Sequence, residues 1–279
     1  MQDTLTEQDL SDFEEQGYVI VRQAVPQSDL DDLMEMFNTY LGLEPSTWYQ
    51  PPHRQSGFVE LYQHRALWQT RQRPRVYQAF AQLFGRARVR VGVDRASMKL
   101  PVREEYPGWG SGLGLHWDIV HKQPDPIPLG LQGVLAVTDT DETMGGFFCV
   151  SGIHKYCHEW QINHASEQNP MRPDVTGLEL KPVPCAAGSL IIWHVGLLHG
   201  SLPNHSERPR FVQYIKMHRA PDSETVDYDE AREQFDQRVA EDGQDKEKTG
   251  LSGPLVPLPK LTDLGRWLAG LGPLPTDLA

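Results

Sequence analysis

The chain of 279 residues is 39% hydrophobic, 9% aromatic and 23% charged, a composition that belongs to folded globular proteins and excludes disordered and fibrous classes. Its formal net charge of -12 offers no basic excess to neutralise phosphates, which excludes nucleic acid and anionic membrane surfaces as partners and leaves a small-molecule substrate. Cys149, Cys157 and Cys185 form neither an even set nor a CxxC pair, so no disulfide framework or thiolate zinc site is expected and the thiols read as buried and inert.

The start, "MQDTLTEQDL", lacks the basic and apolar regions of a signal peptide, and the most apolar stretch, "SLIIWHVGLLHG", holds two histidines. It is far shorter than the roughly 20 residues of a membrane span, so the cytoplasm is the expected compartment. Thr6 and Asp9 resemble a capping box, with Leu10 and Phe13 at helical spacing and Gly17 placed to end a first helix. "YVIVRQAV" reads as a strand. Ser28 with Asp31 then opens a second helix with an apolar stripe of Leu30, Leu33, Met34, Phe37 and Leu41.

Residues 44–65 show no period and read as a long loop near a pocket, while 74–85 has helical spacing and a terminal glycine. Trp48, Tyr49, Phe58 and, further on, Trp117 are candidates to line a pocket, with packing as the commoner role of aromatics in such places. From Val89 the period becomes two. Val89, Val91 and Val93 share a face, and continued alternation adds Arg95, Ser97 and Lys99 to it, as on a strand that runs from packed core into a wet cavity. Arg95 is there a candidate for a polar or anionic substrate group, with a structural ion pair as the alternative.

"LQGVLAVTDTD", "GGFFCVSGIHKY", "LELKPVPCAAGSLIIWH" and "RFVQYIKMHRA" are short strand-like runs separated by turn residues. They predict an antiparallel barrel or double-sheet jelly roll, preceded by helices that cover one sheet. Residues 222–248 carry much of the acidic excess and hold a helix around Tyr228 to Val239, read as a solvated surface element. The last apolar stretch packs back as a short helix bracketed by prolines. The whole is one domain: a helical part about 1–88, a core about 89–220 and a helical segment about 221–279.

Within "LGLHWDIVHKQP", residues 113–124, His116 and Asp118 lie two apart and on a strand project from one face, whereas His121 does not and is a candidate to approach substrate. An imidazole with a carboxylate suits a divalent transition metal, and one more histidine completes the facial triad of non-haem Fe(II) oxygenases. In "GSLIIWHVGLLHGSLPNHSERPRFVQYI" the distal candidate is His199, with His194 as its rival, and Arg210 opens the next strand eleven residues after His199. A buried arginine needs an anion and its fork suits a carboxylate, such as the far end of a keto acid chelating the metal.

These segments, with "FEEQGYVIVRQAVPQSDLDDL", "LHWDIV", "LQGVLAVTDTDETMGGFFCVSGIHKY", "LLHGSLPNHSERPRFVQYIK" and "LTDLGRWLAGL", make the chain resemble the phytanoyl-CoA dioxygenase-like branch of the Fe(II)/2-oxoglutarate-dependent oxygenases. The resemblance implies a mainly β fold with flanking helices around a double-stranded β-helix (jelly-roll, cupin-like) core. It implies His116, Asp118 and His199 as iron ligands and Arg210 as partner of the 2-oxoglutarate C5 carboxylate, with O2 as second cosubstrate. It also has Ser201 donate to that carboxylate, Gln132 face the cosubstrate, and Lys99 or Ser97 face cosubstrate or substrate. Related halogenases have a small residue in place of the aspartate; Asp118 fills it here, which implies oxygenation or desaturation of a small organic molecule, a secondary-metabolite intermediate. The alternatives are an oxygenase of acyl thioesters, a jelly-roll metal binder without turnover, and a zinc hydrolase, which leaves Arg210 and Ser201 unexplained.

Overall fold

The computed structural model describes residues 3–42, 44–49, 57–85, 88–110, 114–119, 129–163, 173, 175–221, 227–241 and 259–278. Helix α1 (Glu7–Gln16) starts at the expected capping box, in which Thr6 accepts from the Asp9 amide and Asp9 accepts from the Thr6 amide; it ends at Gly17, whose φ of 83° requires a residue without a Cβ. Strand β1 (Tyr18–Val21) and α2 (Gln27–Leu41) follow, α2 opening from Pro26 two residues ahead of the expected Ser28. Strand β2 (Phe58–Val59) lies within the segment read as a loop, and no local pattern announces α3 (Arg65–Arg71), whose first turn is capped by the His64 ring accepting from the Ala66 amide. Helix α4 (Pro74–Leu83) has a proline at its first position and the anticipated Gly85 just beyond its end.

Eight more strands and three more helices complete the described chain. The strands are β3 (Val89–Gly92), β4 (Ala96–Lys99), β5 (Leu131–Ala136), β6 (Phe147–Cys149), β7 (Lys181–Pro182), β8 (Leu190–His194), β9 (His199–Ser201) and β10 (Arg210–Arg219). The helices are α5 (Cys157–Asn163), α6 (Tyr228–Glu241) and α7 (Asp263–Ala269). A seven-stranded sheet runs β1-β8-β5-β10-β4-β2 with β3 also on β10, and a three-stranded sheet runs β7-β6-β9; all the pairings are antiparallel. The fold is thus mainly antiparallel sheet with flanking helices, of the jelly-roll kind, with sheets that do not close into a barrel. β1 sits in the large sheet, so the part about 1–88 is not purely helical.

Period-two alternation divides the large sheet into two faces. Leu131, Leu135, Leu190, Ile192, Phe211, Ile215 and Met217 face the helices in one core, while Val134, Ile191, Trp193 and Val212 face the small sheet in a second core with Phe147 and Cys149. The site lies in this second layer.

One expectation fails here for a physical reason. Lys216 is paired with Gly92 and Gln213 with Ala96, so residues 93–95 stand against Tyr214 and Ile215 alone, one residue in excess. Such a bulge reverses the side-chain faces beyond it. Val89 and Val91 therefore pack toward the helices, and Val93 is 43% exposed, while Ser97 and Lys99, opposite Val212 and Arg210, face the small sheet. The valines and the polar residues do not share a face.

Helix α6 is likewise not merely a solvated element. Phe235 and Val239 are buried, and the Phe235 ring meets Trp68 edge-on. Helix α7 packs back as expected, Trp267 lying buried beneath the Arg90 guanidinium. No helix among the described residues is long and apolar enough to cross a membrane.

Candidate metal centre and its cavity

His116 is not on a strand. It forms an isolated bridge with His199 in which the His116 amide donates to the His199 carbonyl at 2.9 Å and the His199 amide donates back at 3.2 Å. Antiparallel residues paired in this way project to the same side, and the two rings stand 4.7 Å apart between centroids. Trp117 turns the other way, 1% exposed, its indole donating to the Gly196 carbonyl, and Asp118 in the following bend returns to the histidine side. The expected convergence of His116 and Asp118 is present, but the bridge to His199, not a strand, produces it.

Asp118 Oδ1 lies 3.6 Å from His116 Nε2, and Asp118 Oδ2 lies 3.6 Å from His199 Nε2. Two bonds of about 2.1 Å to one divalent ion span such gaps. The three ligand atoms lie within 4.8 Å of one another, the group among the described residues that could hold a metal. Each histidine turns Nδ1 to a backbone carbonyl, His116 to Gly114 at 2.9 Å and His199 to Leu197 at 2.8 Å. With Nδ1 carrying the proton, the Nε2 lone pair is free for the metal. Burial pushes the His199 imidazole below its ordinary value, the His116 ring adds to this, and the Asp118 carboxylate opposes it. The neutral, metal-ligating form is thereby favoured. His194, the rival, stays outside this cluster and accepts from the Gly196 amide at 2.9 Å.

The cluster opens on a cavity of about 190 Å³ between the two sheets. His116, Asp118, Gln132, His199, Ser201, Arg210 and Arg95 line it. The structure thus brings together most of the residues singled out from sequence. Gln132 Nε2 donates to Asp118 Oδ2 at 2.7 Å. Arg210 is 4% exposed, and its Nε has no hydrogen-bond partner. Lys99 stands opposite it in register, also 4% exposed, outside the cavity lining, with its pKa pushed down to about 8 by burial and by the Arg210 charge. No carboxylate among the described residues pairs with either cation. A buried charge without a counter-ion is costly, and Arg210 carries one at this end of the cavity lining.

Other residues behave differently. Ser97 lies outside the lining and its hydroxyl donates to the Gly57 carbonyl at 3.0 Å. Arg95 meets Asp94 at 3.3 Å and Glu60 at 3.9 Å and lies over the Phe58 ring, so its charge is answered within the protein. His121 falls outside the described residues. Of the aromatic candidates, Trp48 and Trp117 are buried and Tyr49 stacks on Tyr106, while Phe58 lines the cavity. Sequence reasoning missed Asp94, Phe147, Trp193 and Tyr214 in the lining. Tyr214 was findable: it lies an even four residues after Arg210 on one strand, hence on the same face.

A two-sheet antiparallel fold with a His-X-Asp and distal His cluster above a buried arginine defines a non-haem iron, 2-oxoglutarate-dependent oxygenase. The chain belongs to the phytanoyl-CoA dioxygenase (PhyH) family, whose model matches residues 13–212. A Dictyostelium discoideum protein provisionally described as a phytanoyl-CoA dioxygenase is 22% identical over 275 residues, covering 80% of this chain and 78% of that protein. Among solved structures, the non-haem, alpha-ketoglutarate-dependent carbocyclase SnoK from nogalamycin biosynthesis is 21% identical with a TM-score of 0.53, covering 76% of this chain and 83% of that one. The epimerase SnoN, in complex with Fe3+, alpha-ketoglutarate and nogalamycin RO, is 17% identical with a TM-score of 0.56, covering 77% and 83%. EvdO2 from Micromonospora carbonacea var. aurantiaca, complexed with 2-oxoglutarate, is 15% identical with a TM-score of 0.54, covering 81% and 96%. At such identities these structures establish the shared fold.

Proposed function

We propose that this enzyme oxidises a small organic molecule of secondary metabolism, by hydroxylation, desaturation or a related two-electron oxidation, with 2-oxoglutarate converted to succinate. The observation that carries the reading is the convergence of His116, Asp118 and His199 on one face of a cavity whose base holds the uncompensated Arg210. The residues fit the implied groups: the two imidazoles and one carboxylate would hold iron(II), and Arg210, with Ser201 beside it in the lining, would hold the far carboxylate of 2-oxoglutarate. When bound, the metal supplies the oxidising chemistry, with dioxygen consumed and 2-oxoglutarate decarboxylated.

The protein's own part is to bind, orient and exclude. Arg210 would fix the cosubstrate at one end, and His116, Asp118 and His199 would hold the metal at the other. The aromatic residues Phe147 and Trp193, packed beside His199 with centroids 5.7 Å and 4.9 Å from its ring, wall that side from water. The substrate side is lined by Phe58 and Tyr214, edge to face at 6.2 Å, and by the charge-answered Arg95, a wall that suits a ring-bearing organic molecule. Secondary metabolism is supported by the nogalamycin enzymes that share the fold. We assign the whole chain to one oxygenase domain, and the cytoplasm, a reducing compartment, accords with its three free thiols.

The test is direct. Purified protein supplied with Fe(II), 2-oxoglutarate and air should release succinate, and His116→Ala should abolish the release. A wild-type protein that binds Fe(II) yet forms no succinate with any candidate substrate or without one would contradict the reading, as would turnover restored by Zn(II) alone.

A further inference from the structure

The three ligands of the cluster are not held alike. His116 and His199 are each tied through Nδ1 to a backbone carbonyl, partners that no side-chain substitution removes. Asp118 sits in a bend, its side chain 34% exposed, and its carboxylate accepts from Gln132 Nε2 at 2.7 Å. Gln132 itself is on β5, between β8 and β10, in register with Trp193 and Lys216. Its strand is thus hydrogen-bonded on both edges.

We infer that Gln132 is the positioning residue that fixes the Asp118 carboxylate for the metal. The carboxylate can only accept, so the group facing it is the amide NH2, a charge-assisted donor. With Oδ2 held by Gln132, the carboxylate is kept turned toward His116 and His199, with Oδ1 available to the metal these three residues would hold. The wall residue read from sequence as facing the cosubstrate thus acts on the metal through Asp118.

The inference rests on the metal-site reading, and the experiment separates the two. Fe(II) is titrated anaerobically into wild-type protein, Gln132→Met and Gln132→Leu, each also made in an Asp118→Ala background, with apo thermal unfolding as the control for folding. Loss of an outer hydrogen bond of this kind weakens metal affinity roughly 10- to 100-fold; that loss is expected in both Gln132 variants with little change in apo unfolding temperature. In the Asp118→Ala background the same substitutions should have almost no further effect, because their target is gone. Wild-type affinity in the better-folded Gln132 variant overturns the inference, and so does an equal loss with and without Asp118, which a merely structural role would give. Failure of the wild-type protein to bind Fe(II) removes the metal reading itself, and this inference with it.

Discussion

Arg210 and Lys99 stand side by side on the inner face of the large sheet with no carboxylate partner among the described residues. Such a pair is tolerable only if an anion arrives or if one proton leaves, and Lys99 has already moved toward the second course. Arg210→Met should therefore cost 2-oxoglutarate roughly 2 to 5 kcal/mol of binding, a loss of about 30-fold to several thousand-fold, measured calorimetrically on the Fe(II)-loaded protein. Arg95→Met should leave that affinity nearly unchanged, since Asp94 and Glu60 already answer its charge; the opposite pattern would relocate the cosubstrate. At this scale the sequence was informative because residue type carries the chemistry. HxD, the distal His-Gly-Ser and the arginine eleven residues on are visible in one dimension. Asp94 and Trp193 were not visible, since a bulge brings the first to the cavity and a turn separates the second from His199.

Elements with self-contained signals were legible: α1 through its capping box and closing glycine, α4 through its helical spacing and terminal glycine, β10 through its unbroken alternation. Helix α3 was not, because seven residues capped by a histidine carry none of the usual start signals. The β3 to β4 passage failed differently. Alternation is local, but face is set by the partner strand, and one extra residue against β10 turned it over. Helix α6 shows the same limit, its charge masking two anchors. Phe235 is 2% exposed against Trp68 on the helix-covered face, away from the metal cluster. Phe235→Ala should destabilise the protein by roughly 3 to 5 kcal/mol, read as a lower denaturation midpoint, with Fe(II) affinity retained. An unaffected midpoint would return α6 to the surface role first expected of it.

The molecule as a whole is two sheets with a second core and the cavity between them and a helix-covered core behind. Its pH response should follow from imidazoles buried in that architecture. Burial pushes His64 and His194 from 6.5 down to about 4, with Arg65 adding to the first and His154 to the second. The unfolded chain takes up these protons before the folded one, so stability is full above about pH 6.5 and falls as pH drops toward 4, by up to about 1.4 kcal/mol per pH unit for each ring. Thermal unfolding of the apo protein should move down between pH 7 and pH 5, and His194→Gln should flatten that dependence; equal slopes would assign the acid sensitivity elsewhere. The sheet architecture itself was legible from short strands and turns, whereas the closeness of residues far apart in the chain, His116 with His199 above all, depends on pairing that no local pattern records.

On the proposed reading, one metal and one organic dianion share this site in a fixed arrangement. A crystal structure of the protein with Fe(II) and 2-oxoglutarate under anaerobic conditions tests it most directly. The metal should lie on His116, Asp118 and His199, with the far carboxylate on Arg210. Metal bound through His194, or a carboxylate held by Arg95 with Arg210 left unpaired, would contradict the account.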